Sequence, residues 1–240
     1  MNTATHFLSK DCFVCRMANY WIILSARRDR YLCVAHEDLA SIGHRLRGWD
    51  DQNHSLSVSP SPDVAPDALV DSLSSNGIIT DDPLLGKSFG ECECPAPEGQ
   101  LREVASVSCG KIPFLLIVRF FLACITVDWR LRTQSFSRNL AGILRRQHDA
   151  TSSDVAYDAV YASKLVALFM VLRPLYPRPY LCLFDSLALL EFLAGRRLFP
   201  NLVFGVVADP FQAHCWVQKG SVILNDDLER IRRYKPILSA

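Results

Sequence analysis

The sequence predicts an α+β protein made of two units, and three observations carry that expectation. The second half runs through several long apolar-periodic helical segments and then into three short β-type runs, the order that packs helices on an antiparallel sheet. The first half opens instead on short aromatic and β-branched runs bounded by polar turns, which is the pattern of strands. The charge also changes sign along the chain. Residues 1–110 hold 9 Lys and Arg against 15 Asp and Glu, while residues 111–240 hold 17 against 10, so a formal net charge of +1 conceals halves of −6 and +7.

Size and composition narrow the class further. At 240 residues, 50% hydrophobic and 21% charged, the chain has enough apolar side chain for a sizeable core and is not a solvated coil. Near-neutrality excludes a broad basic face, so no nucleic-acid partner is expected. The N-terminus has no basic region followed by an apolar core, so no signal peptide is expected. The most membrane-like stretch, residues 112–127, falls short of the roughly 20 residues a spanning helix needs. It also contains Pro113 and a central Arg119, so it reads as a buried core helix and no membrane span is expected. Nine cysteines, odd in number and irregular in spacing, fit free thiols in a reducing cytoplasm better than a secreted disulfide framework.

In chain order, residues 12–15, 20–24 and 31–34 read as strands. Residues 36–49 place Leu39, Ile42 and Leu46 at helical spacing, and residues 50–66, rich in Ser, Pro and Asp, read as a loop. Leu69, Val70 and Leu73 mark a helix over 67–76, closed by Gly77 at C′ and followed by a short strand at 78–80. Three strands, two helices and a final strand describe a small winged-helix-like β3/α domain over residues 1–86. Residues 87–110 read as a linker and residues 111–240 as the second domain. There, helices are expected at 113–132, 137–148, 153–172 and 183–194, the last preceded by the Pro-rich 174–179 and ended by Gly195. Strands follow at 202–208, 213–219 and 222–225.

One constellation points to chemistry. Cys182 stands at the start of an apolar helix, where the macrodipole favours the thiolate and unpaired backbone N–H groups can hold an oxyanion. A cysteine nucleophile needs a base, and that base needs an orienting group. His214 is the only histidine of the last ninety residues, and Asp226 follows at the end of the next expected strand. A three-residue hairpin loop at Lys219-Gly220-Ser221 puts 214 directly opposite 226 and lets Asp226 hold the imidazole; a two-residue loop turns Asp226 to the other face.

The order Cys, His, Asp, with Cys on a helix and the others on strands, is that of papain/transglutaminase-like cysteine protease domains. Cys182-Leu183, Ser186-Leu187-Ala188-Leu189, Gly205-Val206, Phe211, Ala213-His214-Cys215-Trp216-Val217 and Asp226 resemble one branch, the lasso-peptide biosynthesis B proteins. In the first half, Asp29-Arg30-Tyr31 and the Leu-rich helix ending at Gly77-Ile78-Ile79-Thr80 are similar to that family's leader-recognition domain. Cys215 and Gln218 depart from the pattern, which has Ala after the His and an acid after the Val. The resemblance implies a bacterial leader peptidase with Cys182, His214 and Asp226 as its triad. Such a protein binds the leader of a ribosomally made precursor and cleaves at the leader–core junction. It passes the core to an asparagine-synthetase-like lasso cyclase that closes the macrolactam. No cofactor is bound in this reading, and ATP enters only through the cyclase.

For leader recognition the physical model is strand addition at the free edge of the 31–34 strand, with apolar side chains entering a groove beside the 67–73 helix. Tyr31, Val34, Leu69 and Leu73 are the expected peptide-binding residues. Cys12-x-x-Cys15 and Cys92-x-Cys94 do not make the paired knuckles of a structural zinc site, so no metal is expected. Cys215, next to His214 on a strand, is expected to point away from it. Trp216 reads as a cleft wall or a core residue, and the basic run 230–235 as a cyclase contact or a solvated end. Two other functions use the same residues: acyl transfer by the same triad, as in a transglutaminase, or non-catalytic peptide binding by a scaffold.

Overall fold

A computed structural model describes residues 5–49, 64–101, 113–151 and 158–240. The expected 50–66 loop therefore lies largely outside the described residues, as do Cys109 and the first residues of the helix expected from 153. The chain forms two compact units, Met1–Cys92 and Glu93–Ala240.

In the first unit, β2 (Cys12–Arg16), β3 (Tyr20–Ser25) and β4 (Arg30–Ala35) form an antiparallel sheet in the order β2-β3-β4, after a short β1 (Phe7–Ser9). Helix α1 (His36–Ser41) is shorter than the helix expected over 36–49. The chain tightens into a 3₁₀ turn at Gly43–Arg45, and the Trp49 indole lies against Gly43, where any Cβ would collide with it. Trp49 thereby joins an aromatic cluster, with ring centroids 5.8 Å from Trp21 and 5.4 Å from Phe89.

Helix α2 (Pro66–Ser75) begins with Pro in its first turn and ends on a Schellman turn. Gly77, at φ 66°, donates to Ser74, and Ile78 donates to Leu73 at 2.9 Å. The strand that follows, β5 (Ile79–Thr80), pairs with β1 rather than with the three-stranded sheet. β6 (Gly86–Lys87) closes that second sheet in the order β5-β1-β6. Sequence periodicity did not reveal β1 and β6, because strands of two or three residues are too short to show alternation.

The second unit places α3 (Phe114–Thr133), α4 (Phe136–Thr151), α5 (Ala159–Leu172) and α6 (Cys182–Ala194) before the strands. Helix α3 buries Leu116, Phe120, Ala123, Cys124 and Val127, yet Leu115, Leu122, Ile125 and Trp129 are exposed. The described part of the 112–127 stretch, residues 113–127, is therefore apolar on more than one face and buried on one. Among the described residues no helix is long and apolar enough to cross a membrane. Arg119, the charge inside that stretch, lies against Gly195 at the C-terminus of α6, where a cation meets the negative end of the helix. Glu191 of α6 accepts from both Arg130 of α3 and Arg146 of α4 at 2.7 Å, which pins three helices together.

The sheet runs β11-β8-β9-β10-β7. Its spine is the antiparallel pair β8 (Asn201–Val207) and β9 (Gln212–Lys219), with Gly205 directly opposite His214. β11 (Lys235–Ser239) covers the outer side of β8. It was not legible because the basic residues 230–235 in front of it mask its apolar alternation. β7 (Gly99–Gln100), from the segment read as a linker, pairs in parallel with β10 (Val222–Ile223).

The β9–β10 hairpin corrects the expected register. Val222 pairs with Lys219 and Ile223 with Gln218, so the loop is the two residues Gly220-Ser221, with Gly220 at φ 58° as the first position of such a tight turn requires. β10 ends at Ile223, and Asp226 lies beyond the ladder in a bend before α7 (Leu228–Ile231).

At Gly205 an added Cβ would stand 2.8 Å from the Trp216 ring and 2.8 Å from Tyr234 Cβ. Gly205→Ala is expected to cost about 1–3 kcal/mol through overpacking. It should lower the thermal midpoint followed by tryptophan fluorescence, and an unchanged midpoint would contradict this packing.

Candidate active site

The site is built where a helix starts on a stapled turn. Cys182 is the first residue of α6, behind the Pro-rich stretch 174–179 whose proline nitrogens cannot donate hydrogen bonds. Arg173, 2% exposed, takes over that stretch's carbonyls: Nη2 donates to Arg178 and Pro179 at 3.1 Å, and Nη1 to Tyr176 at 3.3 Å. Its Nε donates to Asp185 Oδ1. The other oxygen of Asp185 accepts the Leu181 N–H at 3.0 Å, satisfying one orphan donor of the α6 N-terminus. Burial raises the Asp185 carboxyl above its ordinary range even against Arg173. Arg173 and Asp185 were missed in the sequence because a charged pair twelve residues apart across a proline turn follows no periodicity.

His214 and Asp226 arrive from the sheet. His214 lies near the start of β9, and its Nε2 meets Asp226 Oδ2 at 2.5 Å. Asp226 Oδ1 accepts the Asp227 N–H at 2.8 Å, with Arg230 Nη1 3.6 Å away. Asp227 caps α7 by accepting from Glu229 and Arg230. The bend holding Asp226 is fixed by Asn225, whose Oδ1 accepts the Val217 N–H at 2.7 Å and whose Nδ2 donates to Ser186 Oγ at 3.0 Å. Ser186 in turn reaches the Cys215 carbonyl at 3.4 Å, tying α6 to β9. Gln100 of β7 accepts the Leu228 N–H at 2.6 Å, so the segment read as a linker helps hold this corner.

With Nε2 committed to Asp226, Nδ1 is the ring nitrogen left for Cys182. Hydrogen bonds from the Cys215 thiol and from His214 outweigh burial and bring the Cys182 thiol down to about 4. Burial opposes a charged His214, but the bonds to Asp226 and Cys182 raise it to about 9. Burial also opposes an ionised Asp226, and the His214 bond nevertheless holds it below the ordinary carboxylate range. The two values cross, so between about pH 4 and about pH 9 the pair is thiolate and imidazolium. Four other cysteines contrast with this: burial raises Cys12, Cys33, Cys94 and Cys124, the last to about 12. Cys182 itself is exposed and can meet a substrate.

Around the ring, Tyr234 stands 5.3 Å and Trp216 6.4 Å from the His214 centroid. Trp216 is 1% exposed and donates from Nε1 to Gln218 at 2.9 Å, which makes it a core residue behind the imidazole rather than an open cleft wall. Gln218, where an acid was noted as the family pattern, is buried and donates to Pro95 and Gly220. Cys215, expected to point away from His214, does leave the His214 face of β9, and from there it is among the groups that lower the Cys182 thiol.

The expected peptide-binding residues fall into two groups. Val34, Leu69 and Leu73 are buried in the core of the first unit, and Leu32 packs on the same cluster. Tyr31 is half-buried and alternates to the opposite face of β4 from Val34, so the two cannot line one groove. β4 is an edge of its sheet. Among the described residues no group of three or more His, Cys, Asp or Glu side chains is placed to hold a metal ion.

A helix-borne thiol, a strand-borne imidazole and a carboxylate beyond the next strand make an arrangement chemically capable of thiol-dependent acyl transfer. Residues 121–239 match the model of a family described as the transglutaminase-like superfamily, so the second unit carries a domain of that superfamily. Such a domain is consistent with cysteine protease or acyltransferase activity. No curated protein and no solved structure matches the chain.

The crossed pair predicts the reactivity of the thiol. Alkylation of Cys182 by iodoacetamide, read by peptide mass mapping, should persist through pH 5–8 and fall away only near pH 4. In His214→Ala, which leaves Cys215 in place, the midpoint should move up toward the ordinary thiol value of about 8.5. A wild-type midpoint near 8.5 would contradict the pairing.

Proposed function

We propose that the protein is a cysteine peptidase in which Cys182 is the nucleophile, His214 the general acid and base, and Asp226 the group that orients and charges the imidazole. The observation that supports this most directly is the His214–Asp226 contact of 2.5 Å, with His214 also among the groups that lower the Cys182 thiol. Because the proton already resides on His214, the thiolate attacks the scissile carbonyl without a prior proton transfer. The developing oxyanion is met by first-turn N–H groups of α6, those of Cys182 and Leu183, since the Leu181 N–H is already held by Asp185. His214 then gives its proton to the leaving amine through Nδ1. Neutral once more, it takes a proton from water, which attacks the thioester, releases the acid and restores the pair. Asp226 stays ionised throughout and keeps the ring turned toward the sulfur.

The substrate in this reading is the precursor of a ribosomally made lasso peptide, cut at the leader–core junction, with the core passed to an ATP-dependent cyclase in a bacterial cytoplasm. The residues shared with the lasso-peptide B proteins support it, and so does the edge position of β4, where an extended leader can add as a further strand. Because Val34, Leu69 and Leu73 are buried in the core, the leader's main contact in this reading is the β4 backbone, and its specificity lies in Tyr31 and neighbouring exposed side chains.

With a lasso-peptide precursor as substrate, a cyclase and ATP, wild-type protein should release free leader acid. Cys182→Ala and His214→Ala should release none while remaining folded, and Asp226→Asn should slow release by about two to four orders of magnitude. Core peptide released by Cys182→Ala would end this reading. A leader carrying a new amide instead of a free acid would assign the same triad to acyl transfer.

A further inference from the structure

The mechanism makes no covalent use of Cys215, yet the fold brings that thiol to the nucleophile. Successive residues of β9 point to opposite faces, so His214 and Cys215 diverge, and Cys215 turns toward α6. Ser186 lies one helical turn after Cys182, on the same face of α6, and its hydroxyl reaches the Cys215 carbonyl at 3.4 Å. The Cys215 thiol and its backbone N–H are both among the groups that lower the Cys182 thiol, which agrees with this placement of the two residues. One thiol of the pair is exposed at the mouth of the site, and the other is 2% exposed behind it.

We propose that Cys182 and Cys215 form a peroxide-sensitive modification site, in which oxidation of the exposed thiol is resolved into a reversible Cys182–Cys215 disulfide. The proposal rests on Cys182 being the nucleophile of the reading above, whose activity the disulfide would switch off. In the first step the Cys182 thiolate attacks a hydroperoxide: an S–O bond forms, the O–O bond breaks, the sulfur loses two electrons and the peroxide leaves as hydroxide or alkoxide. In the second, the Cys215 sulfur attacks the sulfenic sulfur: an S–S bond forms, the S–O bond breaks, and the hydroxyl departs with the Cys215 proton as water.

The local electrostatics favour that sequence. The bond to Cys182, followed by burial, raises Cys215 well above the ordinary thiol value, which keeps it protonated and unreactive while the nucleophile is reduced. Once Cys182 becomes a neutral sulfenic acid, the largest cause of that rise is gone. A dithiol reductant restores both thiols and carries away the two electrons. Without a resolving partner, a low-pKa exposed thiolate continues to the sulfinic acid, which thiols do not reverse.

The test exposes the full-length reduced protein to limiting hydrogen peroxide, blocks free thiols, and maps non-reduced peptides by mass. The expected result is a Cys182 peptide joined to the Cys215 peptide, two hydrogens lighter than the pair, with loss of alkylatable Cys182 that dithiothreitol reverses. In Cys215→Ala, or in Cys215→Ser if the alanine variant does not fold, the joined species should be absent and Cys182 should carry two added oxygens that dithiothreitol does not remove. Wild-type protein that accumulates the same sulfinic acid with Cys215 still blockable after denaturation would overturn the proposal. These readouts need no substrate, so loss of the peptidase reading through an active Cys182→Ala variant would be seen separately.

Discussion

The 2.5 Å contact between His214 and Asp226 is the constraint around which the second unit is arranged. It requires β9 to present an imidazole at one end and the chain beyond β10 to bend back and deliver a carboxylate to the same point. Neither end is held by the contact alone. Asn225 fixes the bend from β9 and α6 together, the Asp227 N–H takes the second oxygen of Asp226, and Gln100 holds the start of α7. The two Asn225 bonds are part-buried, where a bond left unmade costs roughly 1–3 kcal/mol, while those of Asp227 and Gln100 are exposed. The corner is consequently ordered before any substrate arrives.

The charge separation at Cys182 follows from that arrangement. An imidazolium is costly in a half-buried place unless an anion faces it on each side, and here Asp226 and the Cys182 sulfur do so. The sulfur is held as an anion by two bond donors and by the positive end of α6. The position of that helix end is itself set by Arg173 and Asp185, which tie a proline-broken turn to the first turn of α6. Cys215 stabilises the thiolate and at the same time places a second sulfur beside it. In the proposed reading, the group that lowers the Cys182 thiol is also the one that would resolve its oxidation.

Much of this was legible in the sequence where one signal was enough. The start of α6 at Cys182, its end at Gly195 and the Schellman turn at Gly77 are marked by local chemistry, and the structure has them there. The α+β class followed from the order of helical and strand-like periods. Cys182, His214 and Asp226 were singled out by residue type and spacing, and the fold does join the last two, though not by the geometry expected. Direct opposition across a three-residue loop gives way to a two-residue loop at Gly220-Ser221 and a bend after Ile223. What stayed hidden has a common physical cause: Arg173, Asn225, Gln100 and Cys215 act through contacts between segments far apart or differently oriented, which no period of 2 or 3.6 encodes. Val34, Leu69 and Leu73 show the converse, since an apolar helical or strand pattern marks burial equally well in a binding groove and in a core.

The central claim, that Cys182 and His214 form an ion pair held by Asp226, is tested most directly by following the His214 imidazole through its titration by NMR in the wild-type protein and in Cys182→Ala. The account predicts a ring that stays protonated up to about pH 9 in the wild type and titrates at a lower pH once the sulfur is gone. A wild-type His214 that titrates near the ordinary histidine value of about 6.5, unchanged by loss of Cys182, would contradict it.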